Sequence, residues 1–218
     1  MTVTPVRLVQ VEPSGSIHNN DPQTGARGVG LPMIDLALAD RIAILKGNEG
    51  WFGQAPTAFQ DAVLSRCEWR TVRAGVPVFR AVDDHADLVG VVEGAVEIYS
   101  RFGTGENPLL HFGHEGMWVG MGSIMSMGPA RLTVVARVDT LLARLSMRTT
   151  HELLAARPEW WKILGSSGFE YGDLAISAYT DSLIRDNERR FACTLLRITG
   201  LRPPRRSRPE RADAPVTQ

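Results

Sequence analysis

Lysine is almost missing from this chain: Lys46 and Lys162 are the only two in 218 residues, so arginine carries the positive charge. Cysteine is as scarce. Cys67 and Cys193 stand far apart and fit no Cys-x-x-Cys spacing, which argues against a disulfide framework, a zinc ribbon or an iron–sulfur cluster. Both fall in apolar helical patterns and read as buried free thiols. Net charge is missing too. Basic and acidic residues number 24 each, so no overall field draws the chain to nucleic acid, membrane or acidic substrates. No basic N-terminal region leads into a long apolar run, as a secretory leader would. The stretch from Leu31 to Leu45 is apolar but holds Asp35, Asp40 and Arg41, and it is too short to span a bilayer. A cytoplasmic protein without membrane contact is expected. Walker loop, dinucleotide fingerprint and Gly-x-Ser-x-Gly elbow are all lacking, which removes the familiar enzyme signatures.

What is present divides the chain by pattern. Residues 1–30 mix Ser, Gly, Asn, Pro and Thr without periodicity and read as a disordered tail. Met33, Ile34, Ala37, Leu38, Ile42 and Leu45 recur at helical spacing. A second helix after Pro56 gathers Phe59, Ala62, Val63 and Cys67 on one face. From Trp69 the period changes to two. Short β-rich runs follow at Arg70–Arg73, Val76–Phe79, Leu88–Val92, Val96–Tyr99, Leu109–Phe112, Trp118–Val119, Leu132–Val138 and Leu141–Leu145, punctuated by Gly, Asp and Asn. Eight short strands at that spacing predict an antiparallel β-roll of jelly-roll type. After Ser146 the pattern is helical: a short helix over His151–Ala156, stopped near Pro158, then a long tract over residues 159–185, loosened at Gly165–Gly168. Asp186 suits the N-cap of a last helix carrying Phe191, Leu195, Leu196 and Ile198. The fold class is therefore α+β: an antiparallel β-roll (double-stranded β-helix, or jelly roll) flanked by helices, with a long C-terminal helix.

On that long helix Phe169, Gly172, Ile176, Tyr179 and Leu183 fall at spacings of three and four. Such an a/d stripe buries a narrow seam against a partner helix, or else packs on its own β-domain. The segment His111-Phe112-Gly113-His114-Glu115 raises a metal reading. Residues three apart on a strand point to opposite faces, however, so loop histidines and no metal are expected. Trp160 and Trp161 read as core between the long helix and the β-domain.

One segment carries more chemistry. Gly116-Met117-Trp118-Val119-Gly120-Met121-Gly122-Ser123 is closed by Arg131-Leu132-Thr133 and Ala136. Glycines at Gly120 and Gly122 allow close approach of the backbone, a helix start favours an anion, and an arginine supplies a charge-assisted partner. The segment resembles the phosphate-binding cassette of the Crp/Fnr superfamily of transcription regulators. The likeness extends from about Asn48 to Thr217. It takes in Gly50-Trp51-Phe52, Ala74-Gly75-Val76-Pro77-Val78-Phe79, the run from Leu88 to Val96, and Glu188-Arg189-Arg190-Phe191-Ala192 with Leu195-Leu196.

That resemblance implies an effector-sensing module, not an enzyme. It places a small-molecule effector, a cyclic nucleotide being one candidate, against Gly120, Met121, Gly122, Ser123, Arg131, Leu132 and Thr133, and it favours a homodimer through the 169–183 seam. It divides the chain into a tail (1–30), a β-roll domain with flanking helices (31–165), a dimerisation helix (166–186) and a lead-in (187–218) to a winged helix-turn-helix outside this chain, through which alone DNA would be read. Val216-Thr217-Gln218 resembles the start of that module. Three departures bear on the ligand. Met121 stands where cyclic-AMP-binding members hold the ribose with Glu, and losing such an acceptor costs about 1–3 kcal/mol, roughly tenfold to a hundredfold in affinity. Arg131 lies five residues before Ala136 where the family has six, a shift that turns a strand side chain to the other face unless a bulge corrects it. Val82 replaces the usual glycine before Asp83. Weak or absent cyclic AMP binding follows. The alternatives are a cupin-like jelly roll binding a metal or small molecule, and a ligand-free interaction domain. The arginines Arg202, Arg205, Arg206, Arg208 and Arg211 among prolines read as solvated linker, or as contacts to a phosphate backbone.

Overall fold

The computed structural model describes residues 37–101 and 107–198. The expected tail, the helical residues Met33 and Ile34, and the C-terminal arginines lie outside the described residues. The chain enters through α1 (Leu38–Lys46) and α2 (Thr57–Leu64). It then runs through β1 (Glu68–Val72), β2 (Pro77–Phe79), β3 (Leu88–Glu93), β4 (Val96–Ser100), β5 (Leu109–Gly113) and β6 (Trp118–Val119). The helix α3 (Met121–Ser126) separates these from β7 (Leu132–Ala136) and β8 (Thr140–Leu145). Helices α4 (Met147–Ala156), α5 (Trp160–Ser182) and α6 (Asn187–Ile198) follow. The strands form two four-stranded antiparallel sheets, ordered β1-β8-β3-β6 and β2-β7-β4-β5. This is the expected β-roll flanked by helices on both sequence sides.

Strand β3 shows why the roll holds. Leu88 to Val92 are all buried, yet their side chains alternate. Leu88 and Val92 join the core shared with α1, α2, α4 and α5, while Val89 and Val91 join the core inside the roll. Burying each such aliphatic side chain contributes about 1.5–3 kcal/mol. Between them Gly90 makes room for the fully buried Trp118: a Cβ there would come within 2.8 Å of the indole. Phe52 packs on Trp118 with centroids 4.4 Å apart, and Trp51 meets it edge-on. The Gly-Trp-Phe segment is thus a plug over the roll, tied to α5 by the Trp51 N–H donating to Glu170 Oε2 at 2.7 Å.

Three local expectations are corrected. The long helix is continuous across Gly165–Gly168. Each interior glycine costs a helix about 1 kcal/mol relative to alanine, but the buried side chains of Trp160, Leu164 and Ser167 anchor α5 on the body and outweigh that cost. Trp160 packs against Phe59 at 5.4 Å, in the core as expected. Helix α4 starts four residues before His151, because the Ser146 hydroxyl caps it by accepting from the Thr149 N–H at 3.1 Å. Cys67 lies past the end of α2 rather than on its face; burial pushes its thiol up to about 12, which makes it inert. Asp186 caps α6, its Oδ1 accepting from the Arg189 N–H at 2.7 Å. Among the described residues no helix is long and apolar enough to cross a membrane.

Candidate functional site

A cavity of about 650 Å³ with mostly apolar walls lies between the β2-β7-β4-β5 sheet, α3 and α5. It exists because α5 turns small residues inward. Gly165, Ser167, Gly168, Ala175 and Ala178 line it, and a Cβ added at Gly165 or Gly168 would meet no atom within 4 Å. Ile98 and Val134 face it from the sheet, and Met121 and Met125 from α3.

The cassette forms one end. Gly120 enters α3 with φ +98°, and a Cβ there would come within 1.9 Å of the Asp87 carbonyl oxygen, so no other residue fits. Gly122 sits under Arg131, whose Cδ would be 3.8 Å from an added Cβ. Arg131 precedes β7 instead of lying in it, so strand alternation does not dictate its direction. It lines the cavity, exposed, with no hydrogen bond or ion pair to another described residue. Within β7 the alternation holds: Leu132 and Val134 line the cavity, while Thr133 turns away and its Oγ1 accepts from the Ala81 N–H at 3.0 Å. Six of the seven expected effector residues therefore meet at the cavity, and Thr133 does not. Ser123 lines it, but its hydroxyl donates to the Gly128 carbonyl and accepts from the Ala86 N–H at 2.9 Å, so it has no proton to offer an anion. Met121, 6% exposed, puts a thioether where the resemblance asks for a carboxylate.

The other end was not foreseen. Arg197 of α6 lines the cavity while its Nε donates to Asp181 Oδ2 at 3.1 Å, a pair buried to 10% and 2% exposure. His111 also lines it, from β5 and not from a loop, which corrects the loop reading of that residue. Its Nδ1 is buried without a partner among the described residues. Burial, helped by Arg197 and His114, lowers its pKa to about 4, so it is neutral at physiological pH. His114 is exposed in the following turn, and its Nε2 lies 3.0 Å from the Ile198 carbonyl oxygen. Glu115 is committed to the Gly94 N–H. Among the described residues no group of three or more His, Cys, Asp or Glu side chains is placed to hold a metal ion. A smaller recess of about 190 Å³ is lined by Arg70, Asp83, His85, Asp87 and Arg144, with Arg144 paired to Asp87 at 2.5 Å.

The expected seam lies on the face of α5 beside the cavity face. Phe169, Ile176, Tyr179 and Leu183 are 79%, 64%, 67% and 62% exposed, so this stripe does not pack on its own β-domain. At Gly172 an added Cβ would likewise meet open space.

The family model for the cyclic nucleotide-binding domain matches residues 69–157. Over those residues the chain is similar to the cyclic nucleotide-binding domain family. The resemblance read from the sequence is borne out over this domain. No curated protein matches the chain. Among solved structures, one named as a cyclic nucleotide binding protein of Ruegeria pomeroyi superimposes with TM-score 0.54 at 18% identity, over 69% of this chain and 66% of that one. A cAMP-binding regulatory protein of Silicibacter pomeroyi, so named, gives 0.53 at 18%, over 68% and 67%. The c-di-GMP responsive global regulator CLP of Xanthomonas campestris gives 0.52 at 20%, over 64% and 70%. At these identities the likeness is one of fold, and this chain spans about two thirds of the length of those proteins.

Proposed function

We propose that this chain is the effector-sensing and dimerising part of a Crp/Fnr-type transcription regulator, a cytoplasmic homodimer that senses and does not catalyse. The observation that carries this reading is the double use of α5. One face lines the cavity and the neighbouring face presents Phe169, Ile176, Tyr179 and Leu183 to solvent. Occupancy of the cavity and pairing of protomers therefore act on the same helix. The effector binds against Gly120, Met121, Gly122, Arg131 and Leu132. DNA is read by a helix-turn-helix joined beyond α6, whose placement follows α5. The structural relative named as a c-di-GMP responsive regulator supports a regulatory role with an effector other than cyclic AMP.

The test is a calorimetric titration of the full chain with cyclic AMP, cyclic GMP and cyclic di-GMP, alongside sedimentation analysis. A dimer is expected, with cyclic AMP binding well above micromolar dissociation because Met121 offers no acceptor. A monomer at high concentration would remove the dimerising role, and tight cyclic AMP binding would overturn the effector assignment.

A further inference from the structure

Taking the cavity as the effector site, we propose that its ligand is an apolar-bodied organic acid whose carboxylate binds Arg197 and so fastens α6 to the body. The walls are mostly apolar, and the lining holds two arginines and no carboxylate. Of the two arginines, Arg131 is exposed, so water and salt weaken an anion's hold on it. Arg197 is only 10% exposed, where a charge-assisted bond is stronger. A guanidinium carries five N–H donors, so Asp181 on one edge leaves donors for a second acceptor. Displacing Asp181 would strand a carboxylate that is 2% exposed, the costly way to open a buried pair. The ligand therefore adds to the pair instead of breaking it. Neutral His111, with its buried Nδ1 unpartnered among the described residues, stands by as a further hydrogen-bonding group on the same lining.

The consequence reaches α6. None of its residues is buried, and Phe191 is 65% exposed. Its last turn is held by Arg197 on Asp181 and by the Ile198 carbonyl near His114 Nε2. An anion on Arg197 whose body packs in the cavity adds a further tie between α6 and the body, so ligand binding and α6 docking reinforce each other.

The experiment titrates decanoate and 1-decanol into the full chain by calorimetry and follows amide hydrogen exchange over residues 187–198. Decanoate is expected to bind at least tenfold tighter than decanol and to slow exchange in α6. Arg197→Met alone strands Asp181, so the informative variant is Asp181→Leu with Arg197→Met, which removes both charges. It should bind both probes equally and show no protection of α6. Gly168→Leu, which fills the cavity, should abolish binding of both probes. Equal binding of the two probes to the unaltered chain would overturn the proposal. So would a carboxylate preference that survives the double variant and disappears in Arg131→Gln. Should cyclic AMP bind where decanoate does not, the cavity remains an effector site and only this ligand class falls. Should none of the three bind, the effector reading falls with it.

Discussion

At the scale of single residues, Met121 is one of the positions where the cavity departs from the cyclic AMP site that the resemblance implies. Met121 is buried at the cavity wall, with Arg131 on the same lining, so Met121→Glu restores an acceptor beside an existing cation. A tenfold to hundredfold gain in cyclic AMP affinity is expected, the equivalent of about 1–3 kcal/mol; calorimetry showing no gain would mean that Arg131 does not serve the pocket. His111 sets a pH dependence. Its folded pKa of about 4 lies below the usual value near 6.5, chiefly because of burial. Between those values the unfolded chain binds a proton that the folded chain refuses. Stability therefore rises with pH through that window, is complete above it, and is lost on acidification. After discounting for the ring's partial exposure the loss is about 2 kcal/mol. Urea unfolding at pH 7 and pH 4.5 should show it, and His111→Gln should flatten it. An unchanged pH slope in that variant would count against a buried neutral imidazole.

At the scale of elements, α5 decides most of the behaviour. Its seam predicts that Ile176→Glu gives a folded monomer, since a charge cannot be desolvated in an apolar interface without a partner. Sedimentation that still reports a dimer would place the interface elsewhere. Its inward glycines predict a different outcome: Gly165→Ala should raise stability by about 1 kcal/mol, because the added methyl meets open space and the helix gains propensity. The sequence made the strands legible to within a few residues, because alternation in runs such as Val96–Tyr99 reports a face directly. Helical spacing likewise placed Phe169, Ile176, Tyr179 and Leu183 together, and all four are exposed. The glycines misled, because propensity is local and the anchoring of α5 by Trp160 and Leu164 is not. Spacing in the sequence left the direction of Arg131 open, since that depends on β7 beginning one residue later. The Arg197 end of the cavity was invisible because α6 returns to the roll only in three dimensions. The one available signal was the run of Gly165, Ser167, Gly168, Ala175 and Ala178 along one helix face, which marks space that no side chain fills.

At the scale of the whole molecule, the proposed double use of α5, for ligand and for partner, would impose a thermodynamic link. A ligand that packs on the inner face of α5 changes the free energy of the outer seam whenever the helix shifts or stiffens, and the coupling is reciprocal. Couplings of this kind are typically about 1–3 kcal/mol, or roughly fivefold to 150-fold. The sign follows from the cavity. At Gly165 and Gly168 the helix has no atom within 4 Å of where a side chain would start, and a molecule in the cavity would support the helix there, from which the exposed stripe projects. A bound molecule should therefore tighten the dimer. Sedimentation equilibrium at zero and saturating decanoate is expected to show a dimer dissociation constant at least fivefold lower in the loaded protein. The monomeric Ile176→Glu variant should bind decanoate more weakly by the same factor, because the two measurements close one cycle. A dimer constant indifferent to ligand, together with undiminished binding by the monomeric variant, would show that the two faces of α5 work independently and that any signal must leave the cavity by another route.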